Sequence, residues 1–181
     1  NASLDLNGGN FTKNGASNLN LTGLGISGDQ AFVNTGTLMV NNTLIPVGGL
    51  MMAAGTTLTG SGSIGGSVTF LGTGTLLPGN SPGKLVVDGD LTFTAGTHFD
   101  VELDGVTPVS EFDQVQVSGV ARVVSLSDAI LNIDLTFVPD PSNSFIIIDN
   151  LDPGTTVVGI FNGIPEGTRF TRSGVEMFIT Y

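Results

Sequence analysis

His98, Asp100, Glu102 and Asp104 stand at alternate positions of one short segment, interleaved with Phe99, Val101 and Leu103. In an extended strand, residues two apart point the same way, so an imidazole and three carboxylates share one face. That face has the oxygens to bind Ca2+ and the groups for the acid/base pair of sugar-cleaving β-helix enzymes. The competing reading, a solvated outer face opposite a buried Phe-Val-Leu row, takes precedence because charged side chains are ordinarily exposed. Asp88-Gly89-Asp90 offers further carboxylate oxygens for Ca2+, and Asp149, Asn150 and Asp152 form a second acidic turn. Neither has the ligand spacing of an EF-hand loop or a calcium β-roll, so each reads first as a turn.

Other chemistries find less support. His98 is the one histidine, so a Ser–His–Asp triad would rest on it alone and has no positive support. The Gly-rich turns carry no Gly-Lys-Ser/Thr and do not read as a phosphate loop. Cysteine is absent, which excludes disulfides and thiolate metal sites. Three Asn-x-Thr sequons, at Asn10, Asn20 and Asn41, fall in Asn/Thr-rich stretches where such matches arise by chance. The expectation is a chain without a catalytic set and without a cofactor, with Ca2+ at Asp88, Asp90, Asp100, Glu102 or Asp104 as the one open metal question.

The elements that position these residues are strands. Gly (27 residues) and Pro (8) interrupt almost every window long enough for three helical turns. Period-2 alternation replaces helical spacing: Leu19 and Leu21, Val68 and Phe70, and Leu91 and Phe93 alternate with polar neighbours, and Leu38 and Val40 share the same spacing between Thr37 and Asn41. Gly-rich turns separate these short runs. From residue 105 onward charge and strand length rise. Leu131, Ile133, Leu135 and Phe137 share a side there, and Val175, Met177 and Ile179 form a last alternating strand. Phe145, Ile146, Ile147 and Ile148 form an unbroken apolar run, as expected of a strand covered on both faces. Residues 105–110 read as a loop between two parts. Short strands with Gly corners predict a solenoid, in which each coil buries its apolar side only against its neighbours. A β-sandwich would show longer strands at wider spacing.

Composition narrows the partners. Of 181 residues, 16 are acidic and 5 basic, for a net charge of −11. The five cations (Lys13, Lys84, Arg122, Arg169 and Arg172) do not cluster, which excludes nucleic-acid binding and a polybasic membrane patch. No stretch approaches the roughly 20 apolar residues of a membrane helix. A mean hydropathy of +0.33 with 12% charged residues argues for a folded chain rather than disorder. Residue 1 has neither the charged start nor the apolar run of a signal peptide, which reads as a processed or internal start.

Phe11-Thr12-Lys13-Asn14-Gly15, then Leu19-Asn20-Leu21-Thr22-Gly23, then Val33-Asn34-Thr35-Gly36-Thr37-Leu38-Met39-Val40 run in that order. This succession resembles the passenger-associated β-strand repeat of bacterial autotransporters. Leu58-Thr59-Gly60-Ser61-Gly62-Ser63-Ile64 is similar to the next coils of such proteins, and Leu77-Pro78-Gly79-Asn80-Ser81-Pro82-Gly83-Lys84-Leu85 to a corner that recurs before the end of their helix. Glu111 to Val117, Phe145 to Asn150 and Gly163 to Gly167 resemble their C-terminal module. The resemblance implies a right-handed parallel β-helix at the bacterial surface or outside the cell.

Together these readings predict an all-β chain. Residues 1–104 form parallel β-helix coils, and residues 105–181 form a sandwich-like or cap module. The expected function is a non-enzymatic structural or adhesin-type surface protein that meets cell-surface or matrix glycans. One alternative is a self-assembling filament or sheath subunit, because a chain ending on the strand Phe178-Ile179-Thr180-Tyr181 predicts uncapped ends open to end-to-end stacking or strand donation. The other is a polysaccharide-degrading β-helix enzyme, which the scarcity of Arg and Lys disfavours as a lyase on acidic sugars.

Overall fold

In a computed structural model, residues 2–22 and 24–181 are described; Asn1 and Gly23, the last residue of the second repeat segment, lie outside them. Strands follow one another in threes, each three making a coil. The first coil is β1 (Ala2–Asp5), β2 (Phe11–Lys13) and β3 (Leu19–Leu21). The second is β4 (Leu24–Gly28), β5 (Ala31–Val33) and β6 (Thr37–Val40), and the third β7 (Thr43–Pro46), β8 (Leu50–Met52) and β9 (Thr57–Gly60). The fourth is β10 (Ser63–Ile64), β11 (Val68–Phe70) and β12 (Thr75–Pro78), and the fifth β13 (Lys84–Val87), β14 (Leu91–Thr92) and β15 (His98–Leu103). The sixth is β16 (Gln114–Val117), β17 (Val123–Ser125) and β18 (Ile130–Leu135). A partial seventh holds β19 (Ile148–Asn150) and β20 (Thr156–Val158), and an antiparallel hairpin, β21 (Arg169–Arg172) and β22 (Val175–Phe178), ends the chain.

Every third strand pairs in parallel. Sheet one runs β1-β4-β7-β10-β13-β16-β19, sheet two β2-β5-β8-β11-β14-β17-β20, and sheet three β3-β6-β9-β12-β15-β18. This is a three-sided parallel β-helix, as the short strands and Gly corners predict. At about 4.8 Å per coil, seven coils make a column about 29 Å long. The register explains why the sequence chooses it. Leu19, Leu38, Leu58, Leu76, Phe99 and Leu131 stack directly on one another in sheet three. Ala31, Leu50, Val68, Leu91 and Val124 do the same in sheet two. A strand of three residues has too little apolar surface to hold itself, but the stack closes into one continuous core. Rings extend it along the axis: Phe70 stacks on Phe93 at 5.7 Å, Phe93 meets Phe99 at 5.8 Å, and Phe99 stacks on Phe161 at 6.0 Å.

The corner between sheets three and one requires glycine. Gly60 has φ +113°, and a Cβ there would strike the Val40 carbonyl of the coil before. A Cβ on Gly62 would strike the Asn42 carbonyl. The chain must pass that close because the Gly62 N–H donates to Val40 O (2.7 Å) and the Ser63 N–H to Asn42 O (2.8 Å).

Three expectations change against this frame. The loop after residue 104 is present, but the column continues beyond it, since β16, β17 and β18 pair on β13, β14 and β15. The extra residues are inserted at a corner, and residues 104–113 and 136–147 project from the column at successive turns. They form a second small core in which Phe112 and Phe145 meet edge-to-face at 5.5 Å beside Leu103 and Leu135. The apolar run at residues 145–148 is not a strand covered on both faces. Pairing starts only at Ile148, and Ile146 is 57% exposed while its carbonyl accepts the Gln114 amide at 2.8 Å. Its neighbours Phe145 and Ile147 pack on the second core instead. Finally, the C-terminal end of the column is covered. Phe170 and Ile179 pack on the main core, and Val175 and Met177 on the second. Tyr181 pins this cap, its hydroxyl donating to Ile164 O (2.6 Å) and accepting from the Phe161 N–H (2.9 Å).

Candidate functional site

The outer face of sheet three carries His98, Asp100 and Glu102 of the candidate residues. On β15, His98, Asp100 and Glu102 alternate with the buried Phe99, Val101 and Leu103, so the shared face read from the sequence exists. β18 lies beside it in register: Asp100 faces Asn132 and Glu102 faces Asp134. The carboxylates engage three different partners. Asn132 Nδ2 donates to Asp100 Oδ1 (2.7 Å) and lies 3.0 Å from His98 Nδ1. Ser81 Oγ donates to Glu102 Oε2 (2.7 Å), and Thr136 Oγ1 donates to Asp104 Oδ1 (2.6 Å). Each carboxylate thus ties one coil to the next along the column. Among the described residues, no group of three His, Asp or Glu converges as a metal would require.

Asp88, Asp90 and Asp152 stand elsewhere, at the corner between sheets one and two, whereas Asp149 and Asn150 lie in the strand β19 and not in a turn. Asp90 Oδ1 accepts the Val123 N–H (2.9 Å) and Asp88 Oδ1 the Ser118 hydroxyl (3.4 Å). Asp152 Oδ2 accepts the Gly119 N–H at 2.6 Å, and Asp149 Oδ2 the Gln116 amide at 3.2 Å. Asp88, Asp90 and Asp152 hold the wider sixth coil against its neighbours at this corner. Asn150 ends β19 with its side chain exposed.

A ladder of amides and hydroxyls lines the corner between sheets three and one. Asn41 Nδ2 donates to Asn20 Oδ1 (3.1 Å), and Asn80 Nδ2 donates to Asn41 Oδ1 (3.0 Å) and Ser61 Oγ (3.1 Å). Asn41, Ser61 and Asn80 follow β6, β9 and β12 at like corners, which the parallel register puts above one another, and Asn20 joins them from the outer side of β3. The ladder leads into a shallow groove of about 310 Å³ floored by Met39, Leu77 and Pro78, with Ser81, Glu102 and Asp113 at its end. There the chain rises from four-residue strands to the six-residue β15, and the corner insertion forms a ledge.

Asp113 and Lys13 are two charged residues that strand reasoning passes over. Asp113 is 1% exposed, and its carboxylate accepts the Gly83 N–H at Oδ1 (2.8 Å) and the Glu102 N–H at Oδ2 (3.0 Å). Burial pushes its pKa from 3.8 up to about 6, against the pull of those two donors and with help from the Glu102 and Asp104 charges. Lys13 points inward, in register with Val33 and Met52. It is 5% exposed, and its ammonium donates to Gly15 O (2.6 Å) and Thr35 O (2.8 Å).

A second cleft, of about 450 Å³, opens between β18 and the hairpin. Ile130, Ile164 and Phe170 give it apolar walls, and Asn132, Asn162 and Arg172 its polar groups. The signal that could have located it is Arg172 itself, one of two basic residues in a late strand of alternating pattern. The arrangement as a whole offers hydrogen-bond donors and acceptors beside small apolar patches, which suits binding of hydroxylated ligands. No protein-family model, curated protein or solved structure matches this chain.

Proposed function

We propose that this chain is a non-enzymatic, adhesin-type structural protein of the bacterial surface, which meets glycans through the outer faces of its coils. The observation that carries the reading is the corner ladder Asn20–Asn41–Ser61–Asn80, which repeats amide and hydroxyl groups at the coil spacing beside an apolar floor. Hydroxyl-rich ligands are held by such mixed donors and acceptors, and a repeating array lets several weak contacts act together. The acidic surface and the likeness of the repeat segments to autotransporter passengers support a place outside the cell.

Two measurements test this. Antibody labelling of intact cells of the source organism is expected to reach the protein, and beads coated with it are expected to adhere to glycan-bearing surfaces. Labelling only after lysis would refute display. Release of sugars from a glycan panel, lost in Glu102→Gln while the fold persists, would replace the reading with an enzymatic one.

A further inference from the structure

The five cations of this acidic chain have different surroundings, and one of them stands apart. Lys13 is held by backbone carbonyls, Lys84 donates to Gln116 Oε1 (3.0 Å), and Arg169 pairs with Glu176 (2.6 Å). Arg122 packs against Gly119 in the turn before β17. Like Lys13, Lys84 and Arg122, Arg172 has no carboxylate within ion-pair distance among the described residues; what sets it apart is that it lines this open cleft.

Its guanidinium is held in place. It lies over the Phe170 ring at 5.2 Å, Nη1 donates to Thr171 O (3.1 Å), and Nη2 donates to the edge carbonyl of Leu131 (3.4 Å). A guanidinium has five N–H donors, so donors remain after these bonds, on a group whose orientation is already fixed. Asn132 and Asn162 flank it, and Ile130 and Ile164 supply the apolar wall.

We infer that this cleft is a binding site for a carboxylate-bearing sugar, a uronic acid at the end of a glycan, with Arg172 taking the carboxylate. The inference deepens the surface-display reading and rests on it for bringing glycans within reach. A carboxylate matches the guanidinium fork in charge and plane. A phosphate dianion would meet stronger repulsion from a chain of net charge −11 and from Asp100, which shares Asn132 with the site. The side amides suit ring hydroxyls, and the cleft has room for about one or two sugar rings. A peptide strand is the poorer occupant, because the Leu131 carbonyl it would pair with is already taken by Arg172.

Calorimetric titration of the intact chain tests this with a uronic-acid-ended disaccharide, its neutral counterpart and an acetylated dipeptide acid. The uronate is expected to bind at least about tenfold more tightly than either of the others, more weakly as salt rises. Arg172→Gln is expected to lose that preference while keeping the melting temperature within a few degrees, and Arg172→Lys to retain part of it. If Arg172→Gln does not fold, Asn162→Leu, at an exposed position on the cleft rim, takes its place and is expected to weaken uronate binding about tenfold or more by filling the cleft. Equal binding of uronate and neutral sugar, equal binding of the dipeptide acid, or an unchanged preference in Arg172→Gln would each overturn the inference. Bead adhesion retained without any uronate preference would sink this site and leave display standing. Uronate binding by a protein confined to the cell interior would do the reverse.

Discussion

Replacing Asp113 by Asn should change how stability depends on pH. The folded chain holds the Asp113 proton up to about pH 6, whereas the unfolded chain releases it near 3.8. Between those values the folded state binds more protons, so acidification stabilises it. The contribution is fully present below about pH 4 and lost as the pH rises through 6. A difference of about two units at about 1.4 kcal/mol each gives about 3 kcal/mol between pH 4 and pH 7. Asp113 is 1% exposed but sits at the end of the shallow groove, where nearby water screens part of the interaction, so this figure is an upper value. Asparagine imitates the protonated acid, with one oxygen left to accept from Gly83 or Glu102, and it does not titrate. The other carboxylates of this acidic chain also relax on acidification, and apart from Glu102 and Asp104, whose charges act on Asp113, they do so equally in both proteins. The comparison is therefore urea denaturation of wild type and Asp113→Asn at pH 4, 5, 6 and 7. The difference between the two unfolding free energies is expected to shift by up to about 3 kcal/mol across that range, in favour of Asn at neutral pH. Parallel profiles would refute the burial argument.

Lys13→Met keeps the inward apolar stem but leaves the Gly15 and Thr35 carbonyls without their donor; chemical denaturation should show a loss of about 1–3 kcal/mol, and an unchanged midpoint would mean that water satisfies them. Gly62→Ala drives a Cβ into the Asn42 carbonyl and should cost about 1–3 kcal/mol or more, read as a lowered melting temperature; a neutral result would show that the corner can widen. Removing residues 165–181 uncovers the end of the core under Phe170 and Ile179 and should give concentration-dependent oligomers in light scattering, whereas a truncated chain that stays monomeric would show that the hairpin is not what guards that end.

The column was legible where one rule decides the side of the strand. Leu38 and Val40, Val68 and Phe70, and Phe99, Val101 and Leu103 are all buried as their alternation requires, and the His98 row faces out. Lys13 was equally legible in principle, since alternation puts it on the side of Phe11, but its charge argued for the outside. Only the fold reveals the two carbonyls that receive it. Asp113 defeats alternation altogether. Phe112 and Asp113 are adjacent and both buried because they belong to the corner before β16, where the period of two has not begun. The run at residues 145–148 misled for a related reason: composition reports burial, but a corner insertion can half-bury two of its residues, Phe145 and Ile147, against another insertion ahead of the paired strand. Arg172 carried no motif, and its setting depends on a hairpin folding back over a coil more than thirty residues earlier.

The coils widen along the chain. Successive partners in sheet three, from Leu19 to Phe99, are 18–23 residues apart, while Phe99 and Leu131 are separated by 32. The entropy of closing a loop grows only with the logarithm of its length, so moving from about 20 to about 32 residues costs about 0.4 kcal/mol. The ladder that closes each turn is the same whatever the corner contains. A chain built this way can lengthen its corners almost without thermodynamic penalty while its interior stays fixed, which makes the projecting corners at residues 104–113 and 136–147 the places where new recognition surface is cheapest to add.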